Sequence, residues 1–235
     1  MRKLIIVCLV LNTVCLSLRG EETVKKDSSW SLSGMSALTL SQVSLSNWSA
    51  GGEDAIGFNV QFAYNADYKK AKHLWQNRLE LAYGLNRTET DGSKKTNDKI
   101  YISTTYGYGL TKSLYVSSMV SFNSQFAKGY DYKPDPRVLI SRFMAPGYLM
   151  GGLGLTWNPK VYFTATLSAI SWRGTFVTSD VLSEQGAYGV KPGEHLFSEM
   201  GGNLKLEVNY EFMKNMTIYS RVDFFSNYLE DTKNV

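Results

Sequence analysis

Cysteine is nearly absent from this chain of 235 residues: the only two, Cys8 and Cys15, lie close to the N-terminus. A mature chain without its first residues has no disulfide, no thiol nucleophile and no cysteine ligand for a metal. Histidine is equally rare, with only His73 and His195, so a histidine-based metal site is weakly supported. We expect no metal and no cofactor.

Long apolar runs and a strong charge of one sign are also lacking. The N-terminal apolar region, Leu4 to Leu16, is too short for a comfortable membrane helix. The formal charge of +4 is too small to indicate a nucleic-acid partner. Proline is scarce, with five residues, whereas tyrosine, phenylalanine and glycine are plentiful. Such a composition is typical of β-strands joined by turns.

The N-terminus has the pattern of a secretory signal sequence. Two basic residues precede the apolar region, and small residues near its end favour cleavage after Ser17, with Gly20 as a second candidate. Cleavage at either position removes both cysteines. We therefore expect a signal peptide over residues 1–17, a polar periplasmic lead-in over residues 18–31 and one domain over residues 32–235.

Alternation of apolar and polar residues is the main pattern of the rest of the chain. From Phe58 to Tyr68, every second residue is apolar or aromatic, and the residues between them are mostly polar. Successive side chains of a strand point to opposite faces, so this stretch has one apolar and one polar face. The same pattern predicts nine strands, at about residues 31–45, 55–68, 73–85, 100–110, 114–126, 141–157, 161–169, 204–212 and 218–228.

Charged residues within these strands fall on the polar face, and the apolar faces are almost uncharged. A basic residue that faces lipid at the bilayer midplane costs about 2–4 kcal/mol, so this placement suits a sheet whose apolar face contacts a bilayer. The polar residues then line an interior. The predicted lumen-facing polar set is Asp67, Arg78, Glu80, Lys205, Glu207, Arg221 and Asp223.

Loop lengths and aromatic positions favour a membrane barrel. Short turns alternate with longer polar segments, including 86–97, 127–140 and 174–198, as in bacterial outer-membrane barrels. Aromatic residues such as Trp75 and Trp157 cluster near the strand ends, where the membrane surfaces would lie. We expect an all-β, antiparallel, up-and-down transmembrane β-barrel in the outer membrane of a Gram-negative bacterium. A soluble β-sandwich with an aromatic core is the alternative.

The strand count is odd, whereas bacterial single-chain barrels have even numbers. The chain ends in a polar segment after Tyr228 and has no aromatic residue at its terminus. We expect that one or more C-terminal strands are missing from this sequence. A miscounted first strand is the competing explanation.

The interior has two interpretations. The mixed-sign polar set either lines a solute-selective pore or forms a salt-bridged plug in a narrow barrel, and the small lumen expected for about ten to twelve strands favours the plug. Four further residues, Tyr148, Met150, Ile170 and Trp172, are expected to form an apolar patch that faces inward and either holds an apolar ligand or fills space.

Catalytic chemistry has little support. His195 with Asp180, Glu184 or Ser198 is the only arrangement that offers a base, a carboxylate and a nucleophile, and its spacing matches no hydrolase motif. We therefore assign no catalytic residue and expect that the protein is not an enzyme.

A segment near the start of the domain is distinctive: it reads LSQVSLSNWSAGGE over residues 40–53. Together with Lys95-Thr96-Asn97-Asp98, Gln125-Phe126 and Gly186-Ala187-Tyr188-Gly189-Val190, it resembles the Bacteroidota outer-membrane β-barrel family classed as Domain of Unknown Function 3078. The resemblance implies an outer-membrane barrel and supplies no activity, ligand or catalytic residue.

The expected function is therefore coarse. We expect an outer-membrane barrel that serves passive transport of solutes or small apolar ligands, or a structural role. Surface-loop binding or adhesion is one alternative, and an outer-membrane hydrolase is another. The expected partners are the lipid bilayer, lipopolysaccharide and the barrel-assembly machinery, and the sequence leaves the oligomeric state open.

Overall fold

An antiparallel β-sheet dominates the computed structural model, which describes residues 12–18, 29–45, 52–90, 92–134, 136–214 and 216–228. Ten strands form the main sheet in the order β1-β2-β3-β4-β5-β6-β9-β10-β11-β12, and β7 and β8 form a separate two-stranded ribbon. The strands are β1 (Asn12–Leu18), β2 (Trp30–Val43), β3 (Ala55–Lys70), β4 (His73–Thr88), β5 (Gly92–Gly109), β6 (Leu114–Ser124), β7 (Gly129–Asp131), β8 (Val138–Ser141), β9 (Gly147–Lys160), β10 (Phe163–Phe176), β11 (Leu196–Met213) and β12 (Met216–Asn227).

The long strands of the described residues correspond to the nine predicted from alternation. Each pairs with its neighbours in the main sheet, and the first, β2, has a continuous ladder with β3 from Trp30↔Tyr68 to Val43↔Ala55. The sheet curls into an open barrel, because Arg78 on β4 contacts Glu207 on β11 across four intervening strands. The expectation of an all-β, antiparallel architecture is therefore confirmed.

Strand β1 lies within the predicted signal peptide and pairs antiparallel with β2, from Asn12↔Gln42 to Leu18↔Ser36. The other predicted features of this region, residues 1–11 and most of the lead-in, fall outside the described residues. The same is true of residues 46–51, which carry the centre of the distinctive 40–53 segment, and of the polar ending at 229–235.

Side-chain burial alternates along each strand. In contrast to a sheet of a soluble protein, many polar side chains are on the buried face and many large apolar side chains are on the exposed face. On β6, Tyr115, Ser117, Met119 and Ser121 point to the concave face and are buried. The residues between them point to the convex face, where Val120 is 45% exposed. Serine and threonine hydroxyls fill much of the concave face, whereas valine, leucine and aromatic rings cover the convex one.

A small apolar cluster closes part of the long-loop end of the sheet. It consists of Ala145, Val177, Leu182 and Val190, all nearly fully buried. Leu182 belongs to a short helix, α1 (Asp180–Glu184), in the segment between β10 and β11, and a 3-10 turn (Ala187–Gly189) follows it. None of the described helices is long and apolar enough for a membrane span.

The prediction of a polar loop over residues 86–97 is wrong. Strand β4 continues to Thr88 and β5 begins at Gly92, so only a tight turn separates them. Backbone hydrogen bonds between strands do not require apolar side chains. The polar residues of segment 86–97 therefore continue β4 and β5 instead of forming a loop. Short and long connections therefore do not alternate strictly along the chain.

The predicted sixth strand, residues 141–157, is also partly wrong. Its counterpart β9 begins only at Gly147, because Arg142 and Ala145 form a bridge that turns the chain before it. The first residues of the predicted strand therefore leave the sheet. Alternation over residues 141–157 would place both Phe143 and Ala145 on the apolar outer face. Phe143 is half-exposed, but Ala145 is fully buried in the apolar cluster.

A β-bulge interrupts β10 and reverses the direction of the side chains that follow it. The register to β11 shifts between Ser168 and Ser171, and Ala169 and Ile170 are consecutively exposed. The bulge is accommodated on β9 by glycine: a Cβ at Gly154 would lie 1.9 Å from the Leu167 carbonyl oxygen. Extra residues of this kind bend a strand and re-aim its side chains.

We expect Gly154→Ala to destabilise the fold because the new methyl group and the backbone of the bulge cannot occupy the same space. Overpacking of this kind costs about 1–3 kcal/mol, or more where backbone must move. The matched control is Gly151→Ala on the same strand, where the nearest atom to an added Cβ is 4.0 Å away. Denaturant unfolding followed by tryptophan fluorescence measures both, and equal stabilities would contradict this account of the bulge.

Candidate functional site

The interior of the curled sheet gathers the charged residues that the alternation predicts to face inward. All seven members of the predicted set lie on the concave strand face and make ion pairs there, joined by Lys99. We call this group the ion-pair belt: Asp67, Arg78, Glu80, Lys99, Lys205, Glu207, Arg221 and Asp223.

The first half of the belt centres on Arg78. Its guanidinium contacts Asp67 on the adjacent strand at 2.5 Å and Glu207 across the interior at 3.0 Å. Lys205 lies 3.6 Å from the other oxygen of Glu207. The side chains of Arg78, Lys205 and Glu207 are only 8–11% exposed. Planar guanidinium suits this role because one group can bridge two carboxylates.

The second half of the belt centres on Arg221. Its Nη1 donates to Glu80 of β4 at 2.6 Å, and its Nε lies 3.5 Å from Asp223. The guanidinium also stacks 3.9 Å from the ring centroid of Tyr101. Lys99 forms a second ion pair with Glu80. Strand β12 is thus held to the opposite wall through charged side chains rather than through backbone pairing.

The belt fills much of the interior at its own level. The pocket between Arg78, Thr105, Thr166 and Lys205 has only about 10 Å³ of free space, which is room for about one water molecule. Toward the short-turn end, Leu74 and Tyr115 are buried and fill the space below the belt. Of the two interpretations of the interior, this packing matches the salt-bridged plug.

Between the belt and the long-loop end lies a cavity of about 530 Å³, which we call the chamber. Aromatic and polar side chains are interleaved in its lining, which includes Tyr101, Tyr148, Tyr188, Phe197, Phe225, Asn123, Arg173, Thr175, Glu199 and Asn203. Tyr188 reaches in from the 3-10 turn and donates a hydrogen bond to the Ile140 carbonyl. Burial raises the pKa of the Tyr188 hydroxyl, which keeps this donor protonated at neutral pH.

The chamber lining contains an ion pair, Arg173 with Glu199, that the sequence patterns did not single out. Two hydrogen bonds of 2.6 and 2.7 Å join the guanidinium to the carboxylate. The guanidinium also stacks 4.2 Å from the ring centroid of Phe225. Glu199 is 6% exposed, so its charge is compensated within the wall.

The bulge on β10 explains why Arg173 was missed. A strict period of two places Ile170 and Trp172 inside and Arg173 outside, and the extra residue reverses this. Tyr148 and Met150 of the expected apolar patch do line the chamber. The other two members of the patch are a correction: Ile170 is 63% exposed, and the Trp172 indole donates to Ser198 Oγ away from the chamber. The sequence feature that could have revealed the bulge is the pair of glycines opposite it, Gly152 and Gly154.

Only some of the residues considered as a hydrolytic site lie close to one another. His195 Nε2 lies 3.7 Å from Asp180 at the protein surface, and its Nδ1 lies 2.7 Å from the Val177 carbonyl oxygen. Ser198, the candidate nucleophile, instead contacts Trp172. Over the part of the chain that the structure describes, no group of three metal-ligating side chains is assembled. That the protein is not an enzyme stays a prediction.

Residues of the motifs that carry the family resemblance contact each other at the long-loop end. The Asp98 carboxylate accepts hydrogen bonds from the backbone N–H groups of Phe126 and Ala127 at 2.7 and 2.9 Å. Lys95 donates to the same carboxylate and to the Ala127 carbonyl. Gln125 in turn donates to the turn that precedes β9. These bonds fix the loop that leaves β6.

We expect Arg78→Met to cost about 3–5 kcal/mol, because it leaves Asp67 without its cation and Glu207 with only Lys205. The matched control is Lys99→Met: its side chain is 39% exposed and its partner Glu80 keeps Arg221, so the expected loss is about 0–1 kcal/mol. Unfolding midpoints of the purified variants measure the difference. Similar losses of unfolding free energy for both variants would contradict a special contribution of Arg78 to stability.

Comparison with known proteins gives a family and no characterised relative. Neither the curated proteins nor the solved structures contain a match to this chain. Residues 40–130, which include Asp67, Arg78, Glu80 and Lys99 of the belt, match the family model described as Protein of unknown function (DUF3078). Over those residues, this match confirms the resemblance seen in the sequence motifs.

Proposed function

We propose that this chain is an outer-membrane β-barrel protein with a closed interior that serves binding or structure rather than passive conduction. The observation that carries the first part is the inverted polarity of the sheet. Charged and hydroxyl side chains are buried on its concave face, and large apolar side chains are exposed on its convex face. Contiguous apolar surface of this kind is rare on soluble monomers and is the expected exterior of a membrane barrel.

Aromatic residues at the short-turn end support the same proposal. Trp75, Tyr108, Trp157 and Phe212 are each 40–49% exposed on the convex face. Neighbouring rings contact one another, as in the pairs Trp157–Phe163 at 5.8 Å and Tyr162–Tyr210 at 4.9 Å. Rows of amphipathic rings at one level of a barrel are typical of a membrane surface. Lipid, lipopolysaccharide and the barrel-assembly machinery are the partners that this location implies.

The closed interior distinguishes among the roles expected from the sequence. A passive pore needs a continuous aqueous path, and the ion-pair belt leaves space for about one water molecule. The chamber, by contrast, is large enough for a small molecule and lies on the long-loop side. The geometry therefore favours a barrel that binds a ligand or supports the membrane over one that conducts solutes.

Membrane insertion is tested by placing a charge on each face of β6. We expect Val120→Arg on the convex face to reduce assembled outer-membrane protein, because an arginine near the midplane costs about 2–4 kcal/mol. The matched control is Asn123→Arg, which faces the chamber and should assemble normally. Fractionation and heat-modifiable gel migration measure assembly. Equal assembly of both variants, or recovery of the unaltered protein in the soluble periplasm, would contradict the proposal.

The closed interior is tested by electrical recording of the full-length protein in a planar lipid bilayer. We expect no steady conductance, because paired side chains and Leu74 and Tyr115 block the axis. The double variant Arg78→Ala/Glu207→Ala removes a cross-interior pair and should introduce measurable conductance. Steady, solute-dependent conductance of the unaltered protein would instead support a pore.

A further inference from the structure

We infer that the short-turn end of the barrel binds the headgroups of anionic phospholipids through a ring of lysines, which we call the lysine rim. The inference rests on the proposed function, because it concerns the level at which the inserted barrel leaves the bilayer. The rim consists of Lys69, Lys70, Lys72, Lys112, Lys160 and Lys214.

The topology of the sheet brings these lysines to one end. Because the strands pair antiparallel with their neighbours, the tight turns β3–β4, β5–β6, β9–β10 and β11–β12 all lie at the short-turn end. Each of the four turns has at least one lysine of the rim, within the turn or on the last residue of the strand before it. All six lysines are exposed. Positive charge is therefore distributed around this end of the curled sheet.

The charge of the rim is of one sign and is not compensated by ion pairs. The segments that form the four turns contain no aspartate or glutamate; they are residues 69–73, 110–114, 158–163 and 213–216. None of the six lysines forms an ion pair with a residue that the structure describes. Asp67, close to the first turn, is paired with Arg78 of the belt, so the nearest acidic residue of a rim strand outside the belt is Glu211.

The long-loop end has no comparable excess of positive charge. The segment between β10 and β11 carries Asp180, Glu184 and Glu194 against a single cation, Lys191. The tight turn between β4 and β5 adds Glu89. Unlike charges interspersed at this end reduce its attraction for an anionic surface, so we expect the attraction at the lysine rim.

Exposed apolar groups beside the lysines favour a lipid over a soluble anion. Lys72 Nζ lies 5.6 Å from the ring centroid of Tyr108, which is 47% exposed on the convex face. Val161 follows Lys160 in the chain and is 99% exposed. At a membrane surface, acyl chains cover such apolar groups while the ammonium groups of neighbouring lysines extend to the headgroups. A soluble anion would contact the lysines and leave the apolar groups in water.

The test measures which lipid contacts the inserted full chain. Vesicles of phosphatidylcholine with increasing brominated phosphatidylglycerol quench the fluorescence of tryptophans at the lipid surface, and Trp75 and Trp157 are exposed near the rim. We expect phosphatidylglycerol to be preferred over phosphatidylcholine at least about threefold. The preference should fall in about 1 M salt, which screens exposed charges. Equal quenching by brominated lipids of both classes in low salt would overturn the inference.

Two triple variants assign the preference to one end of the barrel. The first removes one charge from each of three short turns and should reduce the preference to less than about half: Lys72→Gln, Lys160→Gln and Lys214→Gln. The matched control removes three exposed lysines from the long-loop end and should leave the preference unchanged: Lys128→Gln, Lys133→Gln and Lys191→Gln. Equal effects of the two variants would show a response to total charge and would overturn the assignment to the rim.

Insertion and lipid preference are measured separately. Heat-modifiable gel migration after reconstitution into pure phosphatidylcholine reports insertion, which belongs to the proposed function. Protein that inserts there and shows no preference for phosphatidylglycerol overturns the lysine-rim inference alone. Protein that inserts into neither kind of vesicle overturns both the inference and the proposed function.

Discussion

Ion pairs across the interior are the interaction on which the rest of this structure depends. Arg78 to Glu207 and Arg221 to Glu80 join strands that are not neighbours in the sheet. Charges enclosed by a sheet are tolerated only when each has a partner, since an unpaired one retains its full desolvation cost. The requirement that both signs meet therefore brings β4 toward β11 and β12. The same contacts give the sheet its curl and leave little space along its axis.

The polarity of the two faces follows from that enclosure. Once the charged residues occupy the concave side, the two-residue period of every strand sends the apolar residues to the convex side. Thr156 hydrogen-bonds to both Ser117 and Thr166 in the interior, so these three hydroxyl groups are satisfied within the protein. The convex face carries mainly large apolar side chains, with a local hydrogen-bonded group in which Trp75 donates to Thr104 and Thr104 donates to Asn77. These properties of the two faces are the physical basis of the proposed membrane location.

The chamber results from a local exception to this regularity. Glycines at 152 and 154 leave room for the bulge of β10, and the bulge turns Arg173 and Thr175 inward. The segment between β10 and β11 then packs its apolar cluster over the long-loop end and brings Tyr188 to the chamber wall. The absence of two side chains on β9 thus leads to the placement of two polar side chains of β10 in the chamber.

The sequence by itself determined the number of long strands, the face on which the seven predicted charged residues lie and the family motif, because the first two depend only on a local period and the third on residue identity. Prediction failed where the backbone departed from that period or where polar residues continued a strand. The residues 86–97 pair in β4 and β5, and the bulge reverses Ile170, Trp172 and Arg173. Only the tertiary structure decided which cation meets which anion, that Arg173 faces Glu199, and that a chamber separates the belt from the loops. The pairing of cations with anions across the interior depends on the curl of the sheet, which brings together residues more than one hundred positions apart. The Arg173–Glu199 pair depends instead on the bulge, which sets the register of β10 against β11.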